Sequence, residues 1–420
     1  MDLPSKRILT LFIVLWLTVL FLSQLAMYGF MKPTSYTVFL LLISVFSCAV
    51  GFCSYRCRYE PISLNTPYVR EQVERLMNNK IFTCALIAFT LYMFSMAAIY
   101  YEQLVVLNSS LSDIRGSYFD GKDNIYGPYF GLLDSYIMSP FVHILSALFG
   151  YCLFYKRDWK LLLIFVSLFI YSSLGGGRFH YIRLFLLPAI LGYFVFYKGK
   201  IKLKLKTVVT TLIVGFAVFF LLAWTTMGRR ADGMDKSNMS EAIELTTQDI
   251  LTYAYGPILA FEYSVEHNYS AMIGGYQYGR LTLHAIDDFF VIGLGTVSGV
   301  ERTEFNPSLD NLVAIKQDSP IPLGGAAYWN ALYTWNLYFY NDFGIVGLFV
   351  FPFLIGLLSR YIICMLYKYN KFGYFIILTF LFRALLFSFI DYTMTNMMDV
   401  LVLIAIFIFN KYKFVMKPAF

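Results

Sequence analysis

The stretch SLGGGRFHYIR at 173–183 sets three glycines and two arginines between LLLIFVSLFIYS and LFLLPAILGYFVFY, two runs of nearly pure hydrocarbon. A glycine turn that opens a helix exposes backbone N–H groups, and a helix start favours negative charge. Arg178 and Arg183 add planar guanidinium forks that match phosphate oxygens. The chemistry on offer is anion binding at the depth of a lipid headgroup. No Gly-Lys-Ser/Thr follows the glycines, which excludes a Walker loop. The plainer reading makes glycine the turn-former and lets the arginines snorkel to headgroups. The residues alone leave both readings open.

A second charge lies inside FIILTFLFRALLFSFI, where Arg383 costs about 2.5–3.5 kcal/mol at mid-helix on insertion scales. It calls for a wet cavity, a ligand or a carboxylate, with Asp342, Asp391 and Asp399 as candidate partners. A third feature, YWNALYTWNLYFYNDFGIVG at 328–347, mixes Asn330, Asn336, Asn341 and Asp342 with aromatics. Asp342 suits a helix cap, and Gly344 and Gly347 suit close helix approach. The same residues would also make a shelf where aromatics stack on sugars and amides bond hydroxyls. Further on, Glu262, Glu266, His267, Arg280, His284, Asp287 and Asp288 supply the titratable groups of a long loop. A histidine or carboxylate among them could act as a general base. Asp287-Asp288 alone is weak support for a divalent metal, and no Cys/His pattern at zinc spacing occurs.

These groups hang on a chain that is 59% hydrophobic and 14% charged over 420 residues. Soluble domains carry about 25% charge, and runs of about 20 apolar residues recur here, the length a helix needs to cross a bilayer. The expectation is an all-α polytopic integral membrane protein. Ten spans are read at 8–30, 36–55, 81–104, 131–154, 161–176, 180–198, 207–225, 340–366, 372–391 and 397–410. With the N-terminus inside, every inside turn is basic, from Lys6 and Arg7 through the ladder Lys198 to Lys206 and on to Lys417. Ten spans return both termini to the cytoplasm. The net charge of +7 follows from these turns and points to anionic lipid rather than nucleic acid. The six cysteines fall within spans or at their inner ends, so no outside disulfide framework is implied.

Residues 1–420 read as one integral domain with two outside segments, 105–130 and 226–339. The larger is too rich in aromatics and aliphatics for disorder. Asn238-x-x-Glu241 is a capping box ahead of apolar residues at helical spacing, which predicts one or two helices lying on the outer face. IGGYQYGRLTLHAIDDFFVIGLGTVSG after it reads as re-entrant or interfacial. Inside, TPYVREQVERLMNNK has Thr66 as N-cap, Pro67 in the first turn and a Val69, Val73, Leu76, Met77 stripe, the pattern of an interfacial helix.

Taken together, the spans, the small first outside loop and the large late one resemble the O-antigen polymerase (Wzy) family of the bacterial inner membrane. In detail the resemblance rests on SDIRGSYFDG at 112–121, SSLGGGRFHYIRLFLLP at 172–188 and YTWNLYFYNDFGIVG at 333–347. The Arg-x10-Gly loop pattern of some members is absent. The resemblance implies a glycosyltransferase, GT-C-like in arrangement, that moves a growing glycan from undecaprenyl diphosphate to a hydroxyl of the next lipid-linked repeat unit. No cofactor and no metal is then expected, and the partners are undecaprenyl-diphosphate-linked oligosaccharides, the lipid bilayer and a chain-length regulator protein. By position it implicates Arg115, Arg178, Thr334, Asp342 and Gly344. The candidate set becomes Arg178, Asp342 and His284 for catalysis, with Arg115, Arg183, Arg280, Arg383, Tyr333, Thr334 and Asn336 for substrate.

Three other classes stay in view. O-antigen ligase shares a large late outside loop. A lipid-linked oligosaccharide flippase would carry twelve or more spans and short loops. A channel or structural protein leaves the outside arginines without a role.

Overall fold

The structure is a computed structural model that describes residues 1–59, 67–107, 109, 114, 118, 124–127, 129–155, 158–174, 178–196, 239–287, 308–318, 321–324, 327–329, 333–395 and 397–411. Within them the chain is almost entirely helical. In order come α1 (Leu3–Gln24), α2 (Ser35–Ser54), α3 (Pro67–Asn78), α4 (Lys80–Tyr101), α5 (Phe130–Leu133), α6 (Ser139–Tyr155), α7 (Trp159–Leu174), α8 (Arg178–Tyr181) and α9 (Leu187–Phe196). Then follow α10 (Met239–Glu266), α11 (Tyr269–Met272), α12 (Ser308–Asp318), α13 (Trp335–Tyr369), α14 (Phe372–Phe387) and α15 (Met397–Lys411). A small antiparallel hairpin, β1 (Ile321–Gly324) with β2 (Ala327–Trp329), pairs Ile321 with Trp329.

Among the described residues six helical stretches are long and apolar enough to cross a membrane: Leu3–Gln24, Ser35–Ser54, Lys80–Val106, Asp134–Phe154, Phe179–Phe196 and Trp335–Tyr369. This is compatible with a multi-pass membrane protein. The expected fifth, ninth and tenth spans coincide with shorter apolar helices, and the seventh, 207–225, lies outside the described residues. The first helix begins earlier than the hydropathy pattern suggests. Asp2 accepts the Ser5 amide at 3.0 Å and Pro4 occupies the first turn, so a cap rather than the first apolar residue sets the start.

The chain divides into two compact units, one of Met1–Ile62 with Tyr253–Phe420 and one of Ser63–Thr252. In the first, α2 and α13 lie backbone to backbone. A Cβ on Gly51 would fall 2.0 Å from the Phe353 carbonyl oxygen, and one on Gly356 would fall 2.1 Å from that of Cys48. Lipid tails are as apolar as leucine, so such close packing supplies much of the association energy between helices. Trp16 on α1 donates to Ser388 Oγ at 2.8 Å, and Phe12 sits 6.1 Å from the Trp335 ring.

Helix α10 departs from expectation. It starts one residue after Asn238, but from Ala254 to Glu262 every residue is buried, so this half is a core helix and not a surface one. Trp329 of the hairpin packs where a Cβ on Gly256 would stand, and Tyr255 donates to the Leu22 carbonyl. Helix α3 differs too. Its Val69, Val73 and Met77 are buried within the second unit, where Lys160 donates to the Met77 carbonyl, so the stripe faces protein rather than a membrane surface.

Candidate functional site

In the second unit the helices do not stay α-helical at one end. Among the described residues three π-helical turns occur there: Glu102–Val106 after α4, Asp134–Met138 before α6, and Ile182–Leu186 before α9. A π turn inserts an extra residue into the helical ladder and re-aims the side chains around it, and such turns recur at functional sites. Arg183 belongs to the third turn and is half-buried. Arg178 is the first residue of α8, directly after the three glycines; its side chain, those glycines and Arg115 lie outside the description.

Between the end of α7 and the start of α8 the polar groups connect. Tyr171 donates to Asp134 Oδ1 at 2.9 Å, and the Tyr171 ring meets the edge of His180 with centroids 6.3 Å apart. Ser173 and Tyr181 share a hydroxyl–hydroxyl bond of 2.7 Å, and Tyr126 donates to the Leu174 carbonyl at 3.3 Å. Tyr118 packs on Tyr126 and Phe130. Burial, followed by the nearby Asp134 charge, pushes its phenol above the ordinary range, so Tyr118 stays a neutral hydroxyl. Asp134, Tyr171 and His180 are absent from the candidates read in the sequence. Asp134 has no motif around it, and only the fold brings it to Tyr171.

In the first unit the expected shelf is a break in α13. Phe343 (φ −142°, ψ 17°) and Gly344 (φ 60°, ψ −143°) leave helical geometry, and the turn after Gly275 docks against the gap. Gln277 and Tyr278 donate their amides to the carbonyls of Asn341 and Asp342 at 3.1 and 3.2 Å. The Asp342 carboxylate accepts Leu281 N at 3.2 Å and Thr282 N at 2.6 Å. It therefore caps the turn leading to His284 rather than the start of its own helix, because α13 already begins at Trp335. Gly344 and Gly347 serve the same break: a Cβ would meet Tyr276 Oη at 2.9 Å in one case and the Phe339 carbonyl oxygen at 2.0 Å in the other. They do not bring two helices together, as the sequence spacing suggests they might.

The remaining candidates of this unit fall close by in sequence but differ in setting. Arg280 is exposed, whereas His284 is buried at 1% exposure. Tyr333 is buried beside Tyr269, and burial raises its phenol above the ordinary range. Thr334 and Asn336 are fully buried, and among the described residues Thr334 Oγ1, Asn336 Nδ2 and Asn336 Oδ1 have no hydrogen-bond partner. Leaving such groups unpaired costs about 1–3 kcal/mol each. Arg383 has found a carboxylate: Asp399 accepts from it at 3.5 Å, and the guanidinium lies 4.6 Å from the Phe380 ring centre. Asp288 and Asn330 lie outside the described residues. Among the described residues no three His, Cys, Asp or Glu side chains gather as a metal would require.

One polar cluster escapes the sequence reading. Arg360, 3% exposed on α13, donates to Asp2 at 2.5 Å, to Ser5 Oγ, and to the Tyr55 carbonyl at 3.3 Å. Tyr367 donates to the other Asp2 oxygen at 3.1 Å. Arg360 lies inside an apolar run just as Arg383 does, and that was the available signal. No family model, no curated protein and no solved structure matches the chain.

Proposed function

We propose that this chain polymerises polyprenyl-diphosphate-linked oligosaccharide repeat units at the outer face of a bacterial inner membrane, as an O-antigen-type polymerase. The observation that carries the reading is the end of the second unit. There a helix begins at Arg178, Arg183 occupies a π turn, and Asp134 and Tyr171 are joined by a hydrogen bond, with the Tyr171 ring against His180. A diphosphate leaving group develops charge as its bond to the sugar breaks, and fixed guanidinium groups stabilise that charge in the transition state. Arg178, Arg115 and Arg183 take this role. Two lipid-anchored substrates held in one plane supply alignment without further chemistry.

The first unit, by itself, holds polar groups suited to hydroxyls. Thr334 and Asn336 hold buried polar atoms with no partner among the described residues, beside Tyr333 and the break at Phe343 and Gly344. Asp342 keeps the turn of Arg280 in place, and Arg383 stabilises α14 against α15 through Asp399. In this reading neither acts on the reacting atoms.

Deleting the chain and displaying the lipopolysaccharide by length tests the proposal. A polymerase loss leaves core bearing a single repeat unit. Bare core with polymer stranded on carrier lipid is the result of a ligase loss and would overturn the reading, as would an unchanged ladder.

A further inference from the structure

Asp134 opens a π-helical turn, is partly exposed, and is oriented by the Tyr171 hydroxyl at 2.9 Å. Tyr171 is in turn braced by the edge of His180, two residues beyond Arg178, with ring centroids 6.3 Å apart. A carboxylate held in a fixed direction by a donated hydroxyl, while still partly exposed, has the attributes of a general base. Two acids read as candidates in the sequence are held by backbone amides: Asp342 by Leu281 and Thr282, and Glu262 by Thr34 at 2.9 Å. We infer that Asp134 is the base that takes the proton from the attacking hydroxyl of the acceptor repeat unit, with Tyr171 and His180 as positioning residues.

The inference rests on the polymerase reading and names the acceptor side of that site. As the acceptor oxygen forms its bond to the anomeric carbon, the bond from that carbon to the diphosphate oxygen breaks and its electron pair leaves with the diphosphate. The hydroxyl proton passes to Asp134, which returns it to water. No oxidant, reductant or metal enters the balance.

The test uses the full chain in proteoliposomes with a polyprenyl-diphosphate-linked repeat unit, reading chain extension. Asp134→Asn, nearly isosteric, should cut turnover by about 10²–10⁴-fold. Asp134→Ala should be equally slow and should recover in proportion to added formate, which a purely structural carboxylate would not permit. Tyr171→Phe should slow turnover by about tenfold, as expected for a residue that only orients the base. Asp134→Asn at the wild-type rate overturns the inference, as does an inactive but normally melting Asp134→Ala that formate leaves inactive; the polymerase reading survives either. Wild-type protein that extends nothing fails the polymerase reading itself and takes this assignment with it.

Discussion

Asp342 accepts the amide of Thr282 at 2.6 Å across sixty residues of sequence, immediately before its own helix breaks at Phe343 and Gly344. The bond closes the turn that presents Arg280 to solvent. Replacing Asp342 with alanine leaves the Thr282 and Leu281 amides without their acceptor, at a cost of about 1–3 kcal/mol. The turn should then open, and trypsin should cut after Arg280 several-fold faster than in the wild type. Unchanged cleavage would mean that the carboxylate does not hold the turn.

Gly344 has a backbone conformation open to almost no other residue, and a Cβ there would also meet Tyr276 Oη at 2.9 Å. The Tyr276 ring is exposed and can swing aside, so the backbone dominates. Gly344→Ala should lower stability by about 1–3 kcal/mol. Adding Tyr276→Ala should recover little of it. Full recovery in thermal unfolding would assign the cost to the ring instead.

At the opposite extreme of the chain, burial alone would raise the pKa of Asp2, but its bonds with Arg360 and Ser5 and the guanidinium charge outweigh burial and hold it below the ordinary 3.8. A carboxylate depressed in the fold stabilises fully above its unfolded pKa and loses that contribution as pH falls through the folded value. The stability gap between wild type and Asp2→Asn should therefore be constant near neutrality and shrink only below about pH 4. A gap that widens on acidification would contradict the pairing. Arg360→Ala, which strands a buried carboxylate, should cost about 3–5 kcal/mol.

Arg383 and Asp399 form a buried pair at 3.5 Å. Removing either partner strands the other charge, while removing both restores an apolar contact. Arg383→Met with Asp399→Leu should melt above either single variant in detergent. Additive losses would show that the two side chains act independently.

The helices were legible because each needs only a long apolar run and an end signal, such as Asp2 and Pro4 or the Asn79 cap that accepts the Ile81 amide at 2.8 Å. Arg383 could be recognised as needing a carboxylate, and Asp399 was among the three candidates. What stayed hidden depends on distance through space. Nothing near Asp134 in sequence announces that α7 will bring Tyr171 to it, and nothing near Asp342 announces a turn sixty residues upstream. The amphipathic pattern of α3 says that one face is covered, and only the fold says that protein covers it. Helix α10 misled for the opposite reason: its polar start reads as surface, while continuous burial begins at Ala254.

In the proposed reaction, transfer from a lipid diphosphate requires the guanidinium of Arg178. The direct measurement is chain extension by purified wild-type and Arg178→Ala protein in proteoliposomes, each supplied with polyprenyl-diphosphate-linked repeat units and resolved by product length. The expected result is a ladder of multiples from the wild type, with free polyprenyl diphosphate released at each step, and none from the variant. A wild-type ladder from correctly inserted Arg178→Ala would remove Arg178 from the reaction.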